Sequence, residues 1–329
     1  MKEVLKNSIA IVFLAFLLGA CSDDEEETVE DGNWIRRSSF EGVGRSGAVS
    51  FVSGDKVYVG LGFDGDDYLS DFWSYSPEEN FWVRVSDFPG LSRSGAVGFE
   101  IDGKGYIGTG YDGDIELSDF WEYDVSSDSW TQITDFGGSA RYQAVGFSVD
   151  GYGYVGTGYD GNYLKDFWKF DSSNGQWEQI VSLKGEKRKD AMCFVIDDHA
   201  YVGTGTNNGL HETDFWEFDA TMTDWYQLID LDDEDEEYDI YRAGSVGFSQ
   251  NGKGYITVGS YGSYVNSTWE YNPSTDLWTE KTAFEGAGRT GAISFTINGR
   301  SFVALGQGGS NRYDDVWEFD PDHILDEDD

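Results

Sequence analysis

Residues 93–110 read RSGAVGFEIDGKGYIGTG, and residues 119–123 read DFWEY. This order of an arginine, an apolar segment, a glycine-rich segment and Asp-x-Trp recurs six times, with serine in place of aspartate in the fifth repeat. The opening arginines are Arg45, Arg93, Arg141, Arg188, Arg242 and Arg289. They lie 47 or 48 residues apart, except for 54 residues before the fifth. A nearly constant period of this length indicates a repeat fold.

The second repeat contains four short strand signals, which Gly, Asp and Ser turns separate. We predict strands at residues 96–99, 105–110, 119–123 and 130–133. Four strands per period form one blade of a β-propeller, so the sequence predicts an all-β, six-bladed propeller. The crowded axis of such a fold needs small residues on its innermost strands, and these recur as Ala48, Ala96, Ala144, Ala191, Ser245 and Ala292.

The second tryptophan of each repeat predicts how the ring closes. Five repeats carry one at the start of the outermost strand, namely Trp82, Trp130, Trp177, Trp225 and Trp278. The sixth repeat ends at Asp320 without one, whereas Trp34 lies just before the first repeat. We therefore predict that a strand from Gly32 to Arg37 completes the last blade and removes an open sheet edge. The propeller would span residues 32–320, before an acidic tail at 321–329.

These motifs resemble those of kelch-repeat propellers, such as the kelch domains of galactose oxidase, of sialate mutarotases and of eukaryotic peptide-binding adaptors. The chain departs from the family at the usual Gly-Gly, which reads Gly-Thr-Gly at residues 108–110. The adaptors use arginines at this point of the repeat to hold acidic peptides. The resemblance therefore implies that the six arginines contact a ligand.

An alternative role for the arginines is internal ion pairing. Five repeats carry an aspartate just before the Trp-containing strand, at Asp71, Asp119, Asp166, Asp214 and Asp315. Pairing is favoured because unpaired like charges near a low-dielectric axis are costly. The fifth repeat has Ser267 there, so Arg242 is the arginine that we expect to be most available to a ligand. His211 and Tyr261, from the irregular loops of the later repeats, are further candidate contacts on the same face.

The first 20 residues predict a signal peptide, because two lysines precede an apolar run that is too short to span a bilayer. The run ends in Leu-Gly-Ala-Cys at residues 18–21, which resembles the lipobox of bacterial lipoproteins. That resemblance implies lipidation of Cys21. Residues 21–31 would form an acidic tether, which is either a plain solvated linker or an export signal to the cell surface. We expect an outer-membrane lipoprotein.

The formal charge of −40, from 62 acidic and 22 basic residues, argues against binding to nucleic acid or anionic lipid. Membrane attachment would occur only through the lipid, and we expect a monomeric propeller. Apart from Cys21, the sole cysteine is Cys193, so there is no disulfide framework. Cys193 replaces a glycine of other repeats, and we interpret it as a packing residue.

The sequence offers little sign of catalysis or of a cofactor. Eight of the ten residues from Asp230 to Asp239 are acidic, which favours a solvated loop. A calcium site is an alternative, but the segment lacks the ligand spacing of an EF-hand. A copper centre like that of galactose oxidase would need paired histidines, and His211 alone is weak evidence for a general base. No other metal site is predicted.

Three functions remain compatible with the sequence. The favoured one is a noncatalytic, lipid-anchored module that presents the arginine side of the propeller to a glycan or protein outside the cell. The second is a carbohydrate-active enzyme resembling the sialate mutarotases, with arginines on a sugar carboxylate and an acid or His211 moving the proton. The third is a structural subunit of a surface complex. Fold alone does not choose among them.

Overall fold

The architecture is a ring of six four-stranded antiparallel sheets. The computed structural model describes residues 31–233, 235–236 and 238–326; the predicted signal peptide, Cys21 and most of the tether lie outside this range. In the described part of the chain, no helix has the length and apolarity that crossing a bilayer requires. The prediction of an all-β, six-bladed propeller is confirmed.

The blades are numbered from the repeat that each contains, and their strands run from the axis outward. Blade one comprises β2 (Val49–Ser53), β3 (Lys56–Gly60), β4 (Phe72–Ser76) and β5 (Phe81–Val85). Blade two comprises β6 (Val97–Ile101), β7 (Lys104–Gly108), β8 (Phe120–Asp124) and β9 (Ser129–Gln132). Blade three comprises β10 (Val145–Val149), β11 (Tyr152–Gly156), β12 (Phe167–Asp171) and β13 (Gln176–Ile180). The four strands predicted for the second repeat are therefore present, with ends shifted by one or two residues.

The last three blades each carry an additional two-stranded ribbon between their second and third main strands. Blade four comprises β14 (Met192–Ile196), β15 (His199–Gly203), β18 (Phe215–Asp219) and β19 (Asp224–Gln227), with ribbon β16 (Thr206–Asn207) and β17 (Leu210–His211). Blade five comprises β20 (Val246–Gln250), β21 (Lys253–Thr257), β24 (Thr268–Asn272) and β25 (Leu277–Lys281), with ribbon β22 (Ser260–Tyr261) and β23 (Ser263–Tyr264). Blade six comprises β26 (Ile293–Ile297), β27 (Arg300–Ala304), β30 (Val316–Ile324) and β1 (Asp31–Arg36), with ribbon β28 (Gln307–Gly308) and β29 (Asn311–Arg312).

Antiparallel pairing sorts the connections between strands onto two faces. Loops between the second and third strands, and between successive blades, emerge on the side where the six arginines lie; we call this the arginine face. The two other hairpin turns of each blade emerge on the opposite face. Because Asp31 pairs with Ile324 and Arg36 pairs with Trp317, β1 runs from the opposite face toward the arginine face.

The N-terminal strand closes the ring, as predicted. β1 forms the outer edge of blade six, in the order β1-β30-β27-β26. The Trp34 side chain is fully buried, and its ring centroid lies 4.9 Å from that of Phe284 and 4.7 Å from that of Phe319. Its indole N–H donates to the carbonyl oxygen of Thr282 in blade five, at 3.2 Å. Trp34 therefore joins the first residues of the domain to the last two blades.

Aromatic residues and glycines allow neighbouring blades to pack face to face. A Cβ atom on Gly105 would lie 2.2 Å from the ring of Phe51 in the preceding blade. Gly153 has the same relation to Phe99, again at 2.2 Å. The innermost strands line an axial channel of about 180 Å³, to which all six of the small residues predicted for the axis contribute.

The acidic loop at residues 230–239 is anchored more firmly than its composition indicates. Leu231, Tyr238 and Ile240 are buried in a core cluster, although acidic residues such as Asp232 remain exposed. The hydroxyl oxygen of Tyr238 accepts the backbone N–H of Trp278 at 2.9 Å. This packing corrects the expectation of a wholly solvated loop; Glu234 and Glu237 lie outside the described residues.

Replacing Trp34 by alanine should lower the free energy of unfolding by about 3 to 5 kcal/mol, the range for truncating a large buried aromatic residue. Chemical denaturation measures this loss. Phe81→Ala serves as the control because Phe81 also lies on an outermost strand but is 55 % exposed. Equal effects of the two changes would contradict a closing role for Trp34.

Candidate functional site

Each blade contains a buried arginine held by hydrogen bonds, and Arg93 shows the pattern. Its Nη1 and Nη2 donate to the two carboxylate oxygens of Asp119 at 2.6 and 2.8 Å. Nη1 also donates to the carbonyl oxygen of Thr109 at 3.0 Å, and Nε donates to that of Leu91 at 2.8 Å. The indole N–H of Trp121 completes the cluster by donating to Asp119 at 2.7 Å. We call this set of contacts the arginine node.

Five of the six nodes contain a carboxylate, which confirms the predicted ion pairing. The pairs are Arg45 with Asp71, Arg93 with Asp119, Arg141 with Asp166, Arg188 with Asp214 and Arg289 with Asp315. Burial by itself would raise the pKa of Asp119, but the hydrogen bonds and charge of Arg93 and the bond from Trp121 hold it below its ordinary value. The Asp119 carboxylate is therefore charged at neutral pH and fixed in place.

The nodes correct the expectation that the arginines contact a ligand. All six arginine residues have an exposed fraction of 0 %. They encircle the axis beneath the arginine face and are absent from the lining of its cavity. A ligand could reach a guanidinium group only by displacing the loops that cover it.

Arg242 differs from the other arginines but is no more accessible. Its Nη2 donates to the hydroxyl oxygen of Ser267 at 2.9 Å, and its Nε donates to the carbonyl oxygen of Ile240 at 2.8 Å. Burial lowers the pKa of Arg242 to about 10, against the opposing charges of Asp239 and Glu280. The expectation of a free Arg242 is therefore corrected: its guanidinium is protonated at neutral pH, fully buried and bound to neutral partners.

The node also explains the threonine in Gly-Thr-Gly. The carbonyl that each arginine Nη1 binds belongs to a residue with positive φ: Leu61, Thr109, Thr157, Thr204, Val258 and Leu305, with φ between 52° and 63°. A β-branched residue is strained in this conformation. The charged hydrogen bond to its carbonyl helps to hold the strained turn, so a second glycine is not needed there.

The principal cavity lies on the axis of the arginine face and has a volume of about 470 Å³. All six blades contribute to its lining. Its floor is a closed ring of backbone hydrogen bonds in which each N–H donates to the carbonyl of the neighbouring blade, at 2.8 to 3.3 Å. The ring residues are Gly47, Gly95, Gln143, Asp190, Gly244 and Gly291. We call this cavity the axial pocket and its floor the axial ring.

Two members of the axial ring carry side chains where the others are glycine. All six residues have positive φ: 61° to 63° at the four glycines, 52° at Gln143 and 56° at Asp190. Glycine adopts this conformation without strain, whereas glutamine and aspartate incur a cost. Neither residue was predicted from the sequence. The break in the pattern of glycine two positions after each arginine was the signal that could have found them.

Lys189 links these two side chains. Its Nζ donates to Oε1 of Gln143 at 3.1 Å and lies 3.7 Å from Oδ2 of Asp190. The ammonium group is also 5.5 Å from the ring centroids of both Tyr142 and Tyr159. Burial raises the pKa of Asp190, although the nearby charge of Lys189 opposes this effect. The Asp190 side chain keeps 21 % of its surface exposed, because it lines the axial pocket.

An arc of half-buried aromatic rings follows the arginine face across blades one to three. Consecutive rings are 4.8 to 6.1 Å apart, in the order Phe63, Tyr68, Tyr111, Tyr142, Tyr159 and Tyr163. The first four line the axial pocket. In the same loops, Asp64 and Asp112 accept backbone N–H groups of their own turns.

The structure brings the other two predicted contacts together. The rings of His211 and Tyr261 lie 4.9 Å apart, edge to face, and Tyr241 lies 4.8 Å from Tyr261 on its other side. His211 and Tyr261 belong to the ribbons of blades four and five on the arginine face, as expected. His211 and Tyr261 stand outside the lining of the axial pocket, and Tyr261 is 52 % exposed.

Other candidate chemistry is sparse in the described part of the chain. No group of three or more His, Cys, Asp or Glu side chains there is placed to hold a metal ion. Cys193 lies in the wall of the axial channel, and burial raises the pKa of its thiol to about 12. The thiol is therefore protonated at neutral pH. His199 and Lys104 lie toward the opposite face, beside Glu217 and Glu122 respectively.

Comparison with known proteins supports the fold. The family model of the kelch motif matches residues 44–89, which contain the first blade. The solved structure of YjhT is similar, with a TM-score of 0.73 at 17 % identity, over 85 % of this chain and 96 % of that chain. No curated protein matches the sequence. The chain is a six-bladed β-propeller, and its first blade matches the kelch motif.

Replacing Asp119 by alanine should lower the free energy of unfolding by about 3 kcal/mol, the low end of the range for breaking a buried pair, because Arg93 would keep an unpaired buried charge. Urea denaturation measures the change. Asp87→Ala is the matched control, since it breaks the exposed pair with Arg84. Water screens that pair, so the control should scarcely alter stability. Similar losses in both variants would contradict a structural role for the node.

Proposed function

We propose that this protein is a noncatalytic binding module that presents its arginine face to a glycan or protein ligand outside the cytoplasm. The observation that carries the proposal is the axial pocket, because side chains and loops from all six blades converge on it. Its volume of about 470 Å³ falls within the range typical of small-ligand sites, about 300 to 1,000 Å³. A ligand would be bound through the pocket and its rim.

The ribbons of blades four to six support recognition at the same face. Residues 206–211, 260–264 and 307–312 contain no aspartate or glutamate, although the chain as a whole has 62. They consist mainly of Asn, Ser, Gly and Tyr, a composition also found in antibody binding loops, where it combines aromatic contacts with adaptable hydrogen bonding. Their exposed side chains include Leu210, Tyr261 and Tyr264. The ribbons would form one wall of the ligand site.

The N-terminal sequence supports a location outside the cytoplasm. Residues 1–20 would be a lipoprotein signal peptide, and Cys21 would carry the lipid that attaches the domain to the outer membrane, at its inner or outer surface. Residues 21–31 would form the tether. Since β1 begins on the opposite face, a tether attached there leaves the axial pocket uncovered.

A second candidate function is sugar modification, the activity expected of an enzyme resembling the sialate mutarotases. It is favoured by Asp190, a carboxyl group with a raised pKa inside the pocket, because general acid–base catalysis works best with a pKa near the operating pH. In this hypothesis Asp190, and not His211, would move the proton, and the arginines take no part because they are buried. NMR observation of anomer exchange in a bound sugar distinguishes turnover from binding alone.

Tyr142→Ala should weaken binding by about tenfold or more, because the variant removes the central ring of the aromatic arc and aromatic contacts often dominate binding energy. A glycan array, followed by a pulldown from outer membranes if the array is blank, identifies the ligand, and calorimetry measures its affinity. Tyr226→Ala is the matched control, since Tyr226 is 44 % exposed on the outer strand β19. Equal affinity of the two variants would contradict binding at the axial pocket.

Cys21→Ala should release the protein from the membrane fraction into a soluble one, because the variant lacks the thiol that the lipid would modify. Metabolic labelling with a palmitate analogue tests the modification directly. The wild-type protein should carry the label and the variant should not. Label that persists on Cys21→Ala would contradict the lipoprotein proposal, whereas the binding proposal would be unaffected.

A further inference from the structure

Two residues in the floor of the axial pocket adopt a backbone conformation that glycine would adopt without strain. Four of the six axial-ring positions are glycine, which fits the positive φ of the ring. Gln143 and Asp190 adopt the same backbone conformation at a cost, and both line the pocket. Strained residues of this kind concentrate at functional sites. We therefore expect their side chains to contact the ligand.

These two side chains offer hydrogen-bonding groups that the described part of the chain leaves unused. The ring consumes their backbone N–H and carbonyl groups. Among the described residues, the Asp190 carboxylate has a single cation nearby, with Lys189 Nζ at 3.7 Å, and the Gln143 amide accepts one bond through Oε1. Carboxylate oxygens can accept several hydrogen bonds, and the amide NH₂ group of Gln143 can donate two. The floor thus presents acceptors beside donors.

The charges around the floor favour a neutral ligand. An incoming anion would find no accessible guanidinium group, because the six arginines are buried and bonded within the fold. The ammonium group of Lys189 already lies 3.7 Å from the Asp190 carboxyl group. A cationic ligand would meet Lys189, whose ammonium group already occupies the space beside the Asp190 carboxylate and the rings of Tyr142 and Tyr159. A group that both donates and accepts hydrogen bonds without net charge meets neither obstacle.

We propose that the axial pocket recognises a neutral sugar, with a hydroxyl that donates to Asp190 and accepts from Gln143 while the sugar ring lies against Tyr111 and Tyr142. This inference rests on the proposed function and names the ligand class of its site. Sugar hydroxyls donate and accept at once, and the apolar faces of a sugar pack on aromatic rings. The sugar is either free or the end of a longer glycan.

The test uses the full chain on an array of neutral, sialylated and amine-bearing saccharides. Binding should be confined to neutral saccharides, and the terminally sialylated form of a bound glycan should not bind. Calorimetry with the best neutral saccharide and with its terminal unit as a methyl glycoside distinguishes recognition of a free sugar from recognition of the end of a longer glycan. Comparable affinity would indicate recognition of a single sugar; loss of affinity for the methyl glycoside would indicate recognition of the end of a glycan chain.

Two variants test the residues. Asp190→Asn and Gln143→Gly should each weaken binding to the best neutral saccharide at least tenfold. Gln143→Gly should also leave the melting temperature equal to or above that of the wild type, because glycine relieves the strained conformation. Asn298→Gly is the matched control: Asn298 has φ 53° in an exposed turn of the opposite face, so this variant should retain full affinity.

The outcomes separate this inference from the proposed function. Preferred binding of a sialylated or amine-bearing saccharide would overturn the neutral-sugar proposal, as would unchanged affinity in both Asp190→Asn and Gln143→Gly. If Tyr142→Ala still weakens binding in those cases, the binding module stands and only the ligand class is wrong. Failure of both the array and the membrane pulldown to yield a ligand would overturn both.

Discussion

The buried ion pair between an arginine and an aspartate is the interaction on which the rest of this structure depends. Taking a guanidinium group out of water is costly unless every N–H is satisfied. Each node supplies most of these bonds, through a carboxylate or serine just before the third strand, a carbonyl in the preceding loop and a carbonyl just after the second strand. One side chain thus fixes the three segments that form the arginine face in its blade.

The same nodes connect the blades to one another. The backbone carbonyl oxygen of each arginine accepts a hydrogen bond from the N–H of a glycine in the preceding blade. Gly306 of blade six, for example, donates to Arg45 of blade one, so that the six bonds form a circle. This outer circle of hydrogen bonds is concentric with the axial ring. Because both circles close without interruption, the loops around the pocket are held as rigid supports. Side chains placed on them, including those of Gln143 and Asp190, are therefore held in fixed positions, as the binding that we propose requires.

The sequence predicted the features that repeat and missed those that depend on backbone geometry. Six arginines and the displaced Trp34 sufficed for blade number and closure, because periodicity survives without knowledge of contacts. The sequence favoured internal pairing of the same arginines but left a ligand role open, and only their burial separated the two roles. Gln143 and Asp190 escaped notice because two polar residues on loops are ordinary until their shared positive φ is seen.

The direction of β1 has a consequence for how the domain meets its surroundings. Both Asp31 and Ile324 lie at the opposite face, so the chain enters and leaves the propeller from behind the pocket. A tether of ten fully extended residues before Asp31 would reach about 35 Å. A surface that holds the protein by its N-terminus would therefore lie next to the opposite face of the propeller, and the axial pocket would point away from that surface. Geometry of attachment alone could then decide which molecules gain access, before any chemical selection begins.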